Sequence, residues 1–469
     1  MKDDLKIVCR DLGSLFFVVG IITLVVIPVP LIFGEYAGIP PIVLTAGVFF
    51  FLGSLLFFFG KNAGETTFRD AMITASLGWL LVSIIGAIPF LYMSEYGIEK
   101  GMKPVDAVFE SFAGWTGTGF TMVINEERLP KTIQFWRSLI QWIGGVGVIV
   151  LTLAILARPG TGSFTLYKSE AREEKMHPSV VSTVKSIWWI FIAYTVIGII
   201  LFYLSGMSLW EAINHCMTGL STGGFSITDN SMAKYGFGTQ LAIMLMMVLG
   251  AIAFVAHHNL LNGKIKKFFS DPQVKALFLL IFAGGIAVTG VNCVTLHYTN
   301  FGEALQESFF QVVSALSCTG FSTTDISVWS NASKLILSAL MIIGGAAGST
   351  AGGIKLFRAI LLYKGVVWRM KQVVSTPRRI FPHRLGTKFL SEDEYKTEVN
   401  EAAIISFLWI VFLFLGILAF TLIMPDADLV DIIFEICSAQ GNVGLSSGLT
   451  SPTMPDPAKI VMMFNMWIG

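Results

Sequence analysis

What most limits the fold of this chain is a series of apolar stretches, each near the length needed to cross a lipid bilayer. They cover roughly 13–34, 40–60, 71–93, 132–157, 186–206, 236–262, 274–297, 333–363 and 400–424. A hydrocarbon core of about 30 Å takes roughly 20 apolar residues as helix. Inside it every backbone N–H and C=O must be bonded within the protein, so only helices and closed barrels span. Ten-residue segments of strict alternation, the mark of a barrel, do not occur. An all-α integral membrane protein is expected. Charge agrees: 13% of the 469 residues are charged and 54% hydrophobic, where soluble domains carry about 25% charged residues.

Several function classes drop out. A net charge of +1 gives nucleic acid nothing to hold. Cys9, Cys216, Cys293, Cys318 and Cys437 show no CxxC spacing and no disulfide framework. The six histidines form no zinc-like cluster, and adjacent His257 and His258 are poorly placed to share a metal. The N-terminal apolar stretch is too long for a cleaved signal peptide, and a second span follows at once. The last apolar stretch, 459–469, is too short to cross a bilayer, so the final helix is expected to continue past Gly469.

Four shorter, half-polar helical stretches lie between certain spans, at about 104–116, 208–220, 302–316 and 427–439. They read as re-entrant half-helices, which membranes tolerate when protein or water shields their ends. With the N-terminus cytoplasmic and each half-helix returning to its own side, 24 of the 32 Lys and Arg fall on the cytoplasmic face and 7 outside, Arg137 being within a span. That bias follows the positive-inside rule. Counting the half-helices as full spans breaks it.

The half-helices head an internal repeat. They read DAVFESFAGWTGTGFT to Thr121, EAINHCMTGLSTGGFS to Ser226, EALQESFFQVVSALSCTGFS to Ser322, and DIIFEICSAQGNVGLS to Ser446. Each begins acidic and ends in a small-residue loop with Gly, then Phe or Leu, then Ser or Thr; the aligned glycines are Gly119, Gly224, Gly320 and Gly444. The expected architecture is four span–half-helix–span repeats around a pseudo-fourfold pore, plus two extra N-terminal transmembrane helices. Its divisions are a hairpin at 1–62, repeats at 63–160, 161–265 and 266–365, a basic cytoplasmic loop at 366–398, and a fourth repeat at 399–469.

Such a unit suits a dehydrated monovalent cation. Backbone carbonyls replace its water without a fixed charge that would trap it. Glycine lets a loop turn its carbonyls to one line, and a half-helix ending at mid-membrane points its negative dipole end there. Glycine-rich loops also serve close helix packing; one such loop means little, and four in alignment argue for shared work.

At these residues the chain resembles the Trk/Ktr/HKT superfamily of potassium transporters, nearest its prokaryotic Trk-type membrane subunits. The motifs are GTGF followed by QFWRSLIQWIGGVGVIVL, then LSTGGFS, SALSCTGFS followed by GGAAGSTAGGIKLFR, and GNVGLS. The two additional N-terminal spans match the Trk branch. The resemblance implies a selectivity filter of backbone carbonyls binding potassium, from Gly117, Thr118 and Gly119; Thr222, Gly223 and Gly224; Cys318, Thr319 and Gly320; and Asn442, Val443 and Gly444. In related plant transporters a serine at the first filter glycine accompanies sodium preference, and Gly119 therefore implies potassium. It further implies a homodimer in the cell inner (plasma) membrane, with a cytosolic ring of Rossmann-type nucleotide-binding regulatory subunits. No nucleotide-binding glycine motif follows a strand here, so no organic cofactor is expected on this chain.

The eighth span is interrupted by IGGAAGSTAGGI at 343–354. Each glycine costs roughly 1 kcal/mol in a helix interior, so a continuous helix is not expected. Gly344, Gly345, Gly348, Gly352 and Gly353 read as a flexible gating loop, as the resemblance also implies; a tight helix crossing is the plainer alternative. Lys355 and Arg358 read as cytoplasmic anchors. Arg137 needs a buried partner, with Glu110, Glu126 and Glu127 as candidates. Asp106, Glu110, Glu303, Glu307, Asp428 and Asp431 read mostly as half-helix caps. The basic segment 364–396 is expected against lipid head groups.

The leading function is potassium uptake through a channel-like pore. A coupled alternating-access symporter is the alternative, but it would favour inverted repeats and midplane ionisable groups. An intramembrane enzyme would need a nucleophile and base at depth, of which His257–His258 is the faint hint.

Overall fold

The computed structural model describes residues 2–92, 102–147, 180–296, 300–374, 383–386 and 388–469. The end of the span expected at 132–157 and the centre of the basic loop at 375–382 lie outside the described residues.

Helix α1 (Lys2–Leu24), short α2 (Pro28–Phe33) and α3 (Ile39–Gly60) make an antiparallel hairpin. It is tight because small residues face the partner. A Cβ on Gly13 would lie 2.6 Å from the Phe57 nitrogen, and one on Gly60 would overlap the Lys6 carbonyl. Buried Arg10, paired with its neighbour Asp11 (3.0 Å), ties the hairpin to the following segment through Thr66 (2.9 Å) and the Gly64 carbonyl (2.7 Å).

Next come α4 (Phe68–Ile85), opened by a Thr67/Asp70 capping box, α5 (Ile88–Leu91), half-helix α6 (Pro104–Trp115) and α7 (Lys131–Gly145). Then follow α8 (Val180–Leu204), half-helix α9 (Leu209–Leu220), α10 (Phe237–Ala251), α11 (Phe254–Leu261) and α12 (Ile265–Ser270). The third group is α13 (Pro272–Thr295), half-helix α14 (Phe301–Leu316), α15 (Asn331–Ile343) and α16 (Leu356–Val374). A small hairpin of β1 (His383–Leu385) and β2 (Lys388–Leu390) precedes α17 (Glu392–Ile423), half-helix α18 (Leu429–Gln440) and α19 (Asp456–Ile468).

Among the described residues six helices are long and apolar enough to cross a membrane, or seven if one bent pair counts as a span. That pair occupies the stretch expected at 236–262, and it is bent: α10 and α11 meet at 107°, because Ile252 and Ala253 leave helical geometry between them. The chain also leaves helix between Ile343 and Leu356. The long helices keep large apolar side chains outside, such as Phe51, Phe282, Ile286 and Leu422. In water that surface would drive aggregation; in lipid it is at home. The half-helices show the reverse: α6, α9, α14 and α18 bury nearly all of their C-terminal halves.

Candidate functional site

Each half-helix stops by the same device. The N–H groups of Gly117, Thr222, Cys318 and Asn442 return to the carbonyls of Gly114, Gly219, Ala315 and Ala439, at 3.1–3.2 Å. Those of Thr118, Gly223, Thr319 and Val443 reach five residues back, to Ala113, Thr218, Ser314 and Ser438, at 2.8–2.9 Å. This is the Schellman ending, which needs a left-handed residue at its turn. Gly117 supplies it freely at φ 68°, whereas Thr222 (54°), Cys318 (56°) and Asn442 (51°) hold it with a side chain. Such strain costs of order 1–3 kcal/mol per residue and persists only where the surroundings impose it.

The four loops touch in a closed cycle. The Gly119 amide donates to the Val443 carbonyl at 3.1 Å. A Cβ on Gly119 would meet the Gly223 carbonyl oxygen at 3.1 Å; one on Gly224 would overlap the Thr319 carbonyl, one on Gly320 the Val443 carbonyl, and one on Gly444 the Gly119 backbone. First loop therefore meets second, second meets third, third meets fourth, and fourth returns to first. The twelve residues singled out in the sequence are brought together in one place. Two of their carbonyls already hold protein donors: Val443 takes the Gly119 amide and Gly223 the Gln141 carboxamide at 2.6 Å.

Behind each loop stands a buried strut that sequence reasoning did not single out as a set. Nine residues before each aligned glycine lie Glu110, His215, Gln311 and Glu435, all buried. Each bonds the hydroxyl two residues past its glycine: Glu110 to Thr121 (3.0 Å), His215 to Ser226 (3.1 Å), Gln311 to Ser322 (2.9 Å) and Glu435 to Ser446 (2.6 Å). A polar residue at one aligned position on the buried face was the available signal. Glu110 is also the partner of Arg137 (2.8 Å); of the three candidate carboxylates it is the one that makes the ion pair. Glu435 instead accepts from Ser447 N–H (2.8 Å), Leu449 N–H (3.3 Å) and the Thr450 hydroxyl (2.5 Å) as well.

A second set clasps neighbouring units. Four residues into each returning helix stand Gln134, Gln240, Lys334 and Lys459. Each donates to a carbonyl of its own outer loop, at Glu126, Tyr235, Ser327 and Pro452 respectively (2.9–3.0 Å). Each also reaches the next half-helix: Gln134 to Trp210 (2.8 Å), Gln240 to Gln306 (2.7 Å), Lys334 to Asp431 (2.6 Å), and Lys459 to Asp106 (2.6 Å). Asp106 and Asp431 stand in the first turn of their half-helices and carry this ion pair besides; Asp428 caps by hydrogen bond, accepting from Val430 N–H at 2.8 Å.

The glycine-rich segment abuts the loops. Gly344, Gly348 and Gly353 take left-handed φ of 68°, 74° and 76°. Thr350 bonds the Leu220 carbonyl (3.1 Å), the Gly250 carbonyl (2.9 Å) and the Thr222 hydroxyl (3.1 Å). Phe254 N–H donates to the Gly348 carbonyl, and Ala346 N–H to the Ala251 carbonyl, both at 2.9 Å. The bend between α10 and α11 is thus where this segment docks. Gly345 packs against Ala251, and Gly352 against the Gly441 carbonyl. A cavity of about 540 Å³ is lined by Thr116, Gly117, Asn442 and residues 348–353, with Trp79 and Met466 among its other walls. Among the described residues no group of three His, Cys, Asp or Glu could hold a metal ion.

Residues 39–469 match the TrkH family model, described as cation transport protein. An uncharacterised cation transporter of Methanocaldococcus jannaschii is 36% identical over 468 residues, covering 100% of this chain and 94% of the relative. The Trk system potassium uptake protein TrkH of Escherichia coli is 32% identical, over 73% of this chain and 71% of its own. The crystal structure of the potassium transporter TrkH from Vibrio parahaemolyticus superposes with a TM-score of 0.84 at 27% identity, covering 99% of this chain and 96% of that one.

Proposed function

The chain belongs to the TrkH family of cation transport proteins, a multi-pass membrane protein of the cell membrane, and from that premise we propose that it takes up potassium through a pore whose selectivity filter is the cycle of four loops. The observation that carries this reading is the closed set of contacts from Gly119 to Gly223, Gly224 to Thr319, Gly320 to Val443 and Gly444 back to Gly119. Four half-helices direct their C-terminal ends to that cycle, and aligned helix dipoles favour a cation there. Main-chain oxygens then replace the water of a potassium ion, each loop contributing in turn.

The glycine-rich segment is the gate of this pore. It sits against the ends of the second and fourth half-helices, and its hold there is a handful of hydrogen bonds centred on Thr350. The cytoplasmic side is the one carrying the basic segment and the N-terminus. The family's implied organisation, a homodimer with a cytosolic nucleotide-binding ring, belongs to this proposal too.

The test is flux in liposomes. Wild-type protein should pass potassium and rubidium well above sodium, with Gly119→Ser shifting the ratio toward sodium. Equal passage of sodium and potassium by wild type would refute the potassium filter. Strict coupling of potassium entry to a second ion, without channel-like currents, would favour the alternating-access alternative.

A further inference from the structure

One returning helix differs from the other three at an equivalent buried position. Eleven residues from the N-cap stand Gln141 on α7, Met247 on α10, Met341 on α15 and Met466 on α19, all buried. The middle position of each loop triplet shows the same split, with Thr118, Thr319 and Val443 against Gly223. The two odd members meet. The Gln141 Nε2 donates to the Gly223 carbonyl at 2.6 Å, and its Oε1 accepts from the Phe225 N–H at 2.8 Å. The partners fix which end of the amide is which, since one is an acceptor and the other a donor.

Space completes the argument. A Cβ on Gly223 would lie 2.5 Å from the Gln141 Cδ and Oε1. The carboxamide stands where a β-branched side chain grows from the other three loops. It also brackets Gly224, whose own Cβ would overlap the Thr319 carbonyl. One turn earlier, Arg137 extends the clamp to the Ser226 carbonyl (2.7 Å), with its guanidinium 4.2 Å from the Phe225 ring centre. Among the described residues no other loop is held by polar side chains of the preceding helix in this way.

We infer that Gln141 is a positioning residue for ion selection, replacing in the second loop the side chain that the other loops carry themselves. This rests on the filter reading above. Gln141 fixes the direction of the Gly223 carbonyl and the height of Phe225, and so sets the second loop's share of the ion site. The first repeat thereby governs the second loop. Gly223 and Gln141 are one unit: no larger residue fits at 223 while the Gln141 carboxamide stands there.

The test is a cross-repeat transplant in full-length protein in liposomes, reading the potassium-to-sodium flux ratio, with thermal unfolding in parallel. Gln141→Met alone should lower the ratio about tenfold while the protein stays folded. Gly223→Thr alone should abolish selective flux, because its Cβ collides with the carboxamide. The combination Gly223→Thr/Gln141→Met recreates the pairing of the other three seams and should restore both the ratio and the unfolding temperature toward wild type. A wild-type ratio in Gln141→Met overturns the inference, as does a double variant no better than Gly223→Thr. Wild type that does not discriminate refutes the filter reading itself; the unfolding temperature of the double variant then still decides whether the two residues act as a unit.

Discussion

Gly119 and Gly320 occupy the same loop position but not the same space. Gly320 has a left-handed φ of 88°, and a Cβ there overlaps the Val443 carbonyl, whereas Gly119 lies outside that region and its Cβ would sit 3.1–3.2 Å from the Gly223 and Val443 oxygens. Gly119→Ser should therefore fold and transport with an altered potassium-to-sodium ratio, while Gly320→Ser should lose transport; rubidium uptake in liposomes reads both, and equal tolerance of the two would contradict the geometry. Glu435 makes a second residue-scale case. It satisfies donors from Ser446, Ser447, Leu449 and Thr450 at once. A buried donor left unpaired costs about 1–3 kcal/mol, so Glu435→Leu should lower stability by about 3 kcal/mol or more, seen as a fall in the unfolding midpoint, with Glu435→Gln milder. The loop glycines were legible in the sequence because four copies align. The struts behind them were not singled out, since Glu, His, Gln and Glu share hydrogen-bonding capacity and no obvious chemistry.

At the scale of elements, half-helices are held from both ends: by Schellman endings at the loop and by clasps at the outer end. Two clasps are ionic and two neutral, at equivalent positions. Removing one partner of a buried ion pair costs about 3–5 kcal/mol, far more than replacing both. Asp106→Ala should therefore destabilise by about that amount, while Asp106→Asn/Lys459→Gln, neutral like the first two seams, should recover most of it in a thermal-unfolding cycle. The glycine-rich segment makes the opposite prediction. Thr350→Val removes hydrogen bonds worth about 1 kcal/mol each without changing size, so the segment's docked state should weaken and resting potassium flux should rise. Flux unchanged by that substitution would argue against a gate. The interruption at 343–354 could be read from its glycines. Its docking on the bend after Ala251 could not, because nothing in the local sequence says which distant backbone supplies the partners for its amides.

For the whole molecule, the arrangement is a hairpin set beside four units that pass contacts around a cycle. The proposed orientation rests on charge. A cysteine introduced at Lys61 or Lys266 should react with a membrane-impermeant reagent from the cytoplasmic side, and one at Lys234 from the outside; the reverse pattern would invert the proposed orientation. That the chain is helical, lives in lipid, and repeats a half-helix and glycine loop could be read from the residues alone, because hydrophobic length and small-residue spacing are local properties. Three-dimensional packing was needed to choose which carboxylate pairs with Arg137, which lysine clasps which aspartate across more than 350 positions in the case of Asp106 and Lys459, and to bring Gln141 to a loop 82 residues away. Those choices depend on how helices of different repeats come to lie side by side, where burial makes every polar group find a partner whatever its distance along the chain.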